Sequence, residues 1–431
     1  MLKLEESGMK DNYKLVYFTF LFLGIAILLP WNSLIMALDY FHTRVPDRDI
    51  NFVVSILSNV PLFFSNILMI VFSKYFPNIK TVTVTLFIIM VMTVALPVFS
   101  QYVASESLRW ALIFLTIILI SFINGVMQSC AYGLAGTLPG SYIATLSTGC
   151  ALSGFIIAIA RAFSLIVFPT DNSLENSNYF KGAVLYFSIG VLMLVIAIIL
   201  IIMLPRLEYY DYLTTWTAKS TTSGSVNSDE EDDLALVQDN HFSDTSNSET
   251  TDESLDVRDA STLEKFLRIH KELILPGYGL ILVYIQTFLV FPGVMLVGGL
   301  GFIHNVSWEV WLIISLYNLA DTISRYASEY FTILNAKTAL VTTIVRFASV
   351  GAFFLAAYDI TFFRNDYVKI VNIVIIGFSN GYISNCQIIH AVKNAKDQDK
   401  EITSKFMVVF LVLGIALGSI ASSFGISKLF D

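Results

Sequence analysis

Charge is scarce in this sequence: only 14% of its 431 residues are Asp, Glu, Lys or Arg. A soluble domain carries about 25%, so the chain has roughly half the usual solvating surface. Cysteine is rarer still, with Cys130, Cys150 and Cys386 each inside an apolar run. That excludes a disulfide framework and a cysteine metal site. His42, His241, His270, His304 and His390 are scattered without metal spacing. There is no phosphate-cradling Gly-rich loop, zinc motif or nucleophile–base arrangement. No cofactor, metal or nucleic-acid partner is therefore expected, and the chain reads neither as an enzyme nor as an ATP-driven pump.

What is abundant is apolar surface. Hydrophobic residues make up 55% of the chain, mean hydropathy is +0.70, and the apolar residues fall in long blocks. A membrane helix needs about 20 of them. Windows of about 19 residues place spans near 15–38, 52–73, 81–100, 108–136, 141–168 and 180–204, then 273–295, 309–331, 338–358, 367–391 and 404–427. The fold class is an all-α polytopic membrane protein with eleven transmembrane helices, six before a polar interval and five after it. The lipid bilayer is its first partner. The expected division is an N-terminal tail over 1–14, a six-helix bundle over 15–206, a loop over 207–265 and a five-helix bundle over 266–431.

The loop accounts for the acidic balance. From Glu208 to Asp259 there are fourteen acidic and two basic residues, a net of −12 within a total of −8. The rest of the chain is therefore net positive. Rich in Ser, Thr, Asp and Glu, this interval has too little apolar surface to bury a core and is expected to be disordered and cytoplasmic. Ser228-Asp-Glu-Glu231 suits an acid-directed kinase, so the loop is expected to be regulatory and dispensable for the activity of the membrane body. Ten Lys or Arg residues fall on the N-terminal side of an eleven-span arrangement and seven on the other. That bias favours a cytoplasmic N-terminus and an outside C-terminus. Asn305-Val306-Ser307, the one N-x-S/T sequon, then lies outside, where Asn305 is a glycosylation acceptor.

Polar residues within the spans carry the functional signal, because an ionisable group at a span's centre costs at least ~2.5–3.5 kcal/mol. Asp321 and Arg325, four residues apart, share one face of the eighth span, with Asn318 a turn earlier on the same stripe. A carboxylate that orients a guanidinium fork leaves donors free for a hydroxylated ligand. The alternative is a structural ion pair locking two helices. Gln128 in the fourth span presents both a donor and an acceptor, which suits a nucleobase edge, or an interhelical hydrogen bond. Trp31, after Pro30, is either a stacking surface or an interfacial anchor. Arg161 and Arg346 are isolated cations with no evident partner. Gly133-x-x-Gly136-x-x-x-Gly140 and Gly414-x-x-x-Gly418 read as close helix packing.

Several of these segments together resemble the equilibrative nucleoside transporter family. Pro30-Trp31-Asn32 with Tyr40-Phe41 is similar to the family's opening span. Gln128 followed by Gly133-Leu-Ala-Gly136-x-Leu-Pro139 is similar to its fourth, and Leu204-Pro-Arg-Leu-Glu-Tyr-Tyr210 to the exit from its sixth. Phe291-Pro292, Asn318-x-x-Asp321-x-x-x-Arg325, Phe378-Ser-Asn380-Gly381-Tyr382 and Leu413-Gly-x-Ala-Leu-Gly418 extend the likeness over the second half. The resemblance implies a six-plus-five, major-facilitator-like carrier that moves nucleosides such as adenosine or uridine, and sometimes nucleobases, by alternating access. By position it implies that Trp31 and Leu62 line the pocket, that Gln128 faces the base and that Asp321 with Arg325 meets the ribose, supported by Asn318.

Three departures bear on substrate range. Ser324 stands where the family usually has Gly, and Asn59 stands where an apolar pocket residue is common, which makes it a specificity candidate. Arg346 matches a ninth-span arginine but lacks the proline that often follows. Three alternatives stay open: a proton-coupled nucleoside carrier, a carrier of another small polar solute, or a receptor or scaffold signalling through the acidic loop. The expected location is the plasma membrane, with an endosomal or lysosomal membrane as the alternative.

Overall fold

The computed structural model describes residues 14–45, 50–72, 75–76, 78–139, 141–170, 177–223, 262–297, 299–358, 360, 362–396 and 399–423. They form helices and no strand. In the first half these are α1 Leu15–Met36, α2 Leu38–Arg44, α3 Ile50–Phe72, α4 Asn78–Tyr102, α5 Glu106–Gly136, α6 Ser141–Val167, α7 Asn178–Met203 and α8 Glu208–Ser223. The second half contains α9 Thr262–Val290, α10 Gly293–Leu296, α11 Val306–Tyr330, α12 Ala336–Val345, α13 Phe347–Ala357, α14 Asp366–Asn394 and α15 Lys400–Ala421.

Ten stretches among the described residues are helical, long and apolar enough to cross a membrane, with α12 and α13 together counting as one. The expected eighth span, α11, is not among them. Its 25 residues rise about 38 Å at 1.5 Å per residue, so length is sufficient. What it lacks is apolarity, because it carries Glu309, Asp321, Arg325 and Glu329. The interval expected to be a disordered loop from residue 207 also begins differently. Residues Glu208–Ser223 are helical, and Leu213 is fully buried, so this end of the interval has an apolar anchor. The acidic run with Ser228 lies outside the described residues, as do residues 1–13.

The bundle is apolar on its outer face, and its polar side chains turn inward among a hydrophobic core. On α4, Val84, Phe87, Val91, Val94 and Val98 recur at helical spacing and are all exposed, whereas Thr85, Thr93 and Ser100 point inward. Against hydrocarbon the outer face needs only apolar contact, and hydroxyls must find partners within the protein. They do so locally: Thr93 Oγ1 donates to the Ile89 carbonyl at 2.8 Å and Ser100 Oγ to the Pro97 carbonyl at 3.0 Å. All three cysteines are buried and free.

Helices α1–α7 pack as one half and α9–α15 as the other, meeting chiefly where α6 lies on α11 and where α15 lies on α3 and α5. Close crossings depend on glycine. A Cβ on Gly24 would come within 2.9 Å of Gly149 Cα where α1 crosses α6, and one on Gly414 would lie 2.6 Å from the Ile281 carbonyl on α9. Gly133 and Gly136 face Lys405 and Ser404 of α15, so both glycine patterns in the sequence are packing features. Gly381 on α14 lies against Ser324 Oγ and the Asp321 carbonyl of α11. This accommodates Ser324, whose hydroxyl donates back to the Asp321 carbonyl at 2.8 Å.

That contact sets a stability test. Gly381→Ala forces a methyl into the α11–α14 crossing, and overpacking of this kind costs ~1–3 kcal/mol. Gly351→Ala, where a Cβ meets nothing within 4 Å, is the matched control. Thermal unfolding of the purified proteins in detergent should show a lower Tm for Gly381→Ala only.

Candidate functional site

A cavity of about 80 Å³ lies between the two halves. Its walls are largely apolar and aromatic. Trp31 follows Pro30 within α1 and reaches Phe288 on α9, with ring centroids 6.2 Å apart. Phe291 and Tyr317 stack at 4.4 Å, and Leu62 on α3 and Ile415 on α15 line the cavity as well.

The polar residues converge from both halves. Gln128 on α5 and Asn318, Asp321 and Arg325 on α11 all line this one cavity. Helical spacing brings the α11 residues onto one face, and Gly154 on α6 leaves room for the Asn318 amide against it. Gln128 Oε1 and Asn318 Nδ2 are buried and have no hydrogen-bond partner among the described residues. A buried amide without a partner costs ~1–3 kcal/mol, so either would gain from a partner in the cavity. Of the residues that the resemblance places in the pocket or marks for specificity, Asn59 alone is set apart from this cavity. It lines an adjoining space of about 40 Å³ shared with Trp31 and Leu62, and its Nδ2 donates across the halves to Ser419 Oγ at 2.8 Å.

Asp321 and Arg325 are paired, with Arg325 Nε donating to Asp321 Oδ2 at 2.9 Å. Nη1 donates to Ser147 Oγ at 2.8 Å, and Nη2 to the Tyr284 hydroxyl at 3.0 Å and to Asp321 Oδ1 at 3.5 Å. A guanidinium has five N–H groups, so one remains without an acceptor among the described residues. Asp321 Oδ1 also accepts from Asn380 Nδ2 at 2.7 Å. Ser147 and Tyr284 carry no sequence signal, since a lone hydroxyl in an apolar run is ordinary. Asn380 lies within a recognised pattern, but nothing in its spacing marks it as a partner of Asp321.

The two isolated cations have partners after all. Arg161 pairs with Asp39 and lies over the Tyr186 ring, 5.5 Å from its centroid. Asp39 Oδ2 also accepts from Ser307 Oγ at 2.9 Å, so this pair joins the halves on the face away from the N-terminus. Asn305 caps α11, and its Nδ2, the atom that would carry a glycan, donates to the Thr170 carbonyl at 2.8 Å. On the opposite face Ser404 Oγ donates to the Tyr132 carbonyl at 2.7 Å and Asn78 Nδ2 to Glu401 Oε1 at 3.2 Å. The halves are thus tied on both sides of the cavity. Among the described residues no group of three His, Cys, Asp or Glu side chains is placed to hold a metal ion.

Known proteins match this arrangement in sequence and in fold. Residues 114–426 match the family described as Nucleoside transporter. The equilibrative nucleotide transporter 1 of Arabidopsis thaliana is 23% identical over 427 residues, covering 96% of this chain and 86% of that protein. The equilibrative nucleoside transporter 1 of Homo sapiens is 23% identical over 460 residues, covering 96% and 97%. Among solved structures, a major facilitator proton:xylose symporter superposes with a TM-score of 0.62 at 10% identity, over 97% of this chain and 91% of that one. The E. coli fucose:proton symporter gives 0.56 at 11% identity, over 98% and 100%. At such identities these two show a shared fold and nothing of the solute. All of these likenesses are to carriers, none to an enzyme. With the family match spanning more than two thirds of its length, the chain belongs to the nucleoside transporter family.

Proposed function

We propose that the chain is a facilitative carrier of nucleosides, with α11 as an additional span that completes a six-plus-five arrangement. The observation that carries this reading is the convergence of three unused hydrogen-bonding groups on one apolar-walled cavity. They are Gln128 Oε1, Asn318 Nδ2 and the one N–H of Arg325 without an acceptor among the described residues. A nucleoside has the matching parts: a flat base for the slot between Trp31, Leu62 and Phe288, edge groups for Gln128, and sugar hydroxyls for the α11 stripe. Few, well-placed polar groups in an apolar wall are the usual form of a small-molecule site.

The places where the halves touch support alternating access. The Asp39–Ser307 and Asn305–Thr170 contacts lie on one face and the Tyr132–Ser404 and Asn78–Glu401 contacts on the other. Breaking one set while keeping the other opens the cavity to one side at a time. Arg325 takes part, because its bond to Ser147 crosses from one half to the other. Among the described residues, the one carboxylate and the one guanidinium that line the cavity, Asp321 and Arg325, are paired with each other, and Asp39 is already engaged by Arg161. This favours an uncoupled carrier. Uptake into liposomes driven by a pH gradient alone would overturn it.

Two substitutions test the site in reconstituted uptake. Gln128→Ala removes one neutral hydrogen bond, worth ~0.5–1.5 kcal/mol, or about 2- to 13-fold in affinity. Nucleosides should weaken by that factor while ribose competes as before; equal loss for every competitor would mark a structural amide. Arg325→Lys keeps the charge but loses the planar fork. A charge-assisted bond contributes ~1.5–3 kcal/mol, or about 10- to 150-fold. Wild type should discriminate against the 2′-deoxy or the 3′-deoxy nucleoside, and Arg325→Lys or Asp321→Asn should shrink that ratio. Variants that transport normally with the ratio unchanged would place the sugar elsewhere.

A further inference from the structure

The protein buries a third arginine that lines no part of the cavity. Arg346 sits at the break between α12 and α13 and is 4% exposed. All five of its N–H groups are spent inside the second half. Nε donates to Ser379 Oγ at 2.8 Å, and Nη1 to the Val283 carbonyl at 2.8 Å and Gln286 Oε1 at 3.2 Å. Nη2 donates to Thr287 Oγ1 at 2.7 Å and to the Ile376 carbonyl at 3.0 Å. A solute finds no donor here. The role of Arg346 must be exerted through its acceptors.

One of those acceptors leads back to the site. Guanidinium only donates, so Thr287 Oγ1 must accept from Arg346 and spend its single proton elsewhere. Two oxygens lie in reach, the Val283 carbonyl at 2.9 Å and Asn380 Oδ1 at 2.7 Å. The first is already served by Arg346 Nη1. Asn380 therefore turns its oxygen to Thr287 and its NH₂ to Asp321 Oδ1, 2.7 Å away. The reversed amide would set a carbonyl oxygen against a carboxylate, which can only accept. With one oxygen held by Asn380 and the other by Arg325 Nε, the Asp321 carboxylate has one orientation, and so does the guanidinium it holds.

We propose that Arg346 is a positioning residue for the solute site, acting through Thr287 and Asn380 to fix the Asp321–Arg325 pair. The proposal rests on the reading that this pair meets the sugar of a nucleoside. It predicts that polarity along the relay, and not merely packing, sets the hydroxyl preference. Thr287 is the link to test, because it is fully buried and lines no part of the cavity. Thr287→Val keeps the shape and removes the hydroxyl. Thr287→Ser keeps the hydroxyl.

The experiment uses full-length protein in liposomes and adenosine or uridine, whichever wild type carries faster. The readout is the ratio of inhibition constants between the nucleoside and its 2′- and 3′-deoxy analogues, which is independent of how much active protein is present. Thr287→Val should reduce that ratio about 2- to 13-fold, the span of one neutral hydrogen bond, and Thr287→Ser should restore it. If Thr287→Val is not recovered folded, Thr287→Cys, close in size and a weak donor, gives the same comparison. A wild-type ratio in Thr287→Val beside a collapsed ratio in Arg325→Lys overturns the relay and spares the sugar site. Loss of the ratio in Thr287→Ser as well makes the position steric and also overturns the relay. An unchanged ratio in Arg325→Lys and Asp321→Asn removes the sugar site, and the relay falls with it.

Discussion

A carboxylate and a guanidinium buried together on α11 set the terms for much of the second half. Neither charge can be left unpaired away from water, since breaking such a pair costs ~3–5 kcal/mol. The pair also has hydrogen-bonding capacity beyond its own contact. Tyr284 on α9, Asn380 on α14 and Ser147 on α6 supply most of what is missing. Asn380 in turn needs Thr287, and Thr287 needs Arg346. The chain of requirements runs across five helical segments, and it ends where Arg346 finds main-chain and side-chain acceptors for every donor.

The same demand explains the glycines on α14. Asn380 reaches Asp321 only because α11 and α14 approach closely, and Gly377 and Gly381 are the positions that allow it. A Cβ at Gly377 would lie 2.7 Å from the Tyr317 carbonyl. Without an appreciable hydrophobic drive between helices in lipid, close packing and interhelical hydrogen bonds hold such a bundle together. Here the two act at one crossing.

Between the halves the contacts are fewer and of another kind. They are hydrogen bonds placed on either side of the cavity, one of them from the Ser307 hydroxyl to a carboxylate that Arg161 holds within the first half. Within a half, partners are redundant and closed on themselves, as at Arg346. Across the interface the bonds come in small groups, such as Asn305–Thr170–Ser307–Asp39 on one face and Ser404–Tyr132 with Asn78–Glu401 on the other, and a neutral bond among them is worth only ~0.5–1.5 kcal/mol. This asymmetry is what a rocking motion requires: rigid bodies joined by contacts that can be exchanged. Arg325 belongs to both classes, holding Asp321 within its half and Ser147 across the gap.

The sequence by itself determined the class of protein, most of the helices and the identity of the polar stripe. Apolar blocks of span length have one stable use in a membrane, and a four-residue spacing puts Asp321, Arg325 and Asn318 on one face of any α-helix. Both are local consequences of chain geometry. The same local logic read the start of the 207–265 interval as coreless. There Leu213 is fully buried in the common hydrophobic core, and its partners lie on other segments. Tertiary structure alone paired Arg161 with Asp39, closed Arg346 on its five acceptors, and separated Asn59 from the cavity that holds Gln128. Those outcomes depend on which helix faces which. That is set by packing among residues up to several hundred positions apart, such as Asn59 and Ser419, and no spacing along the chain records it.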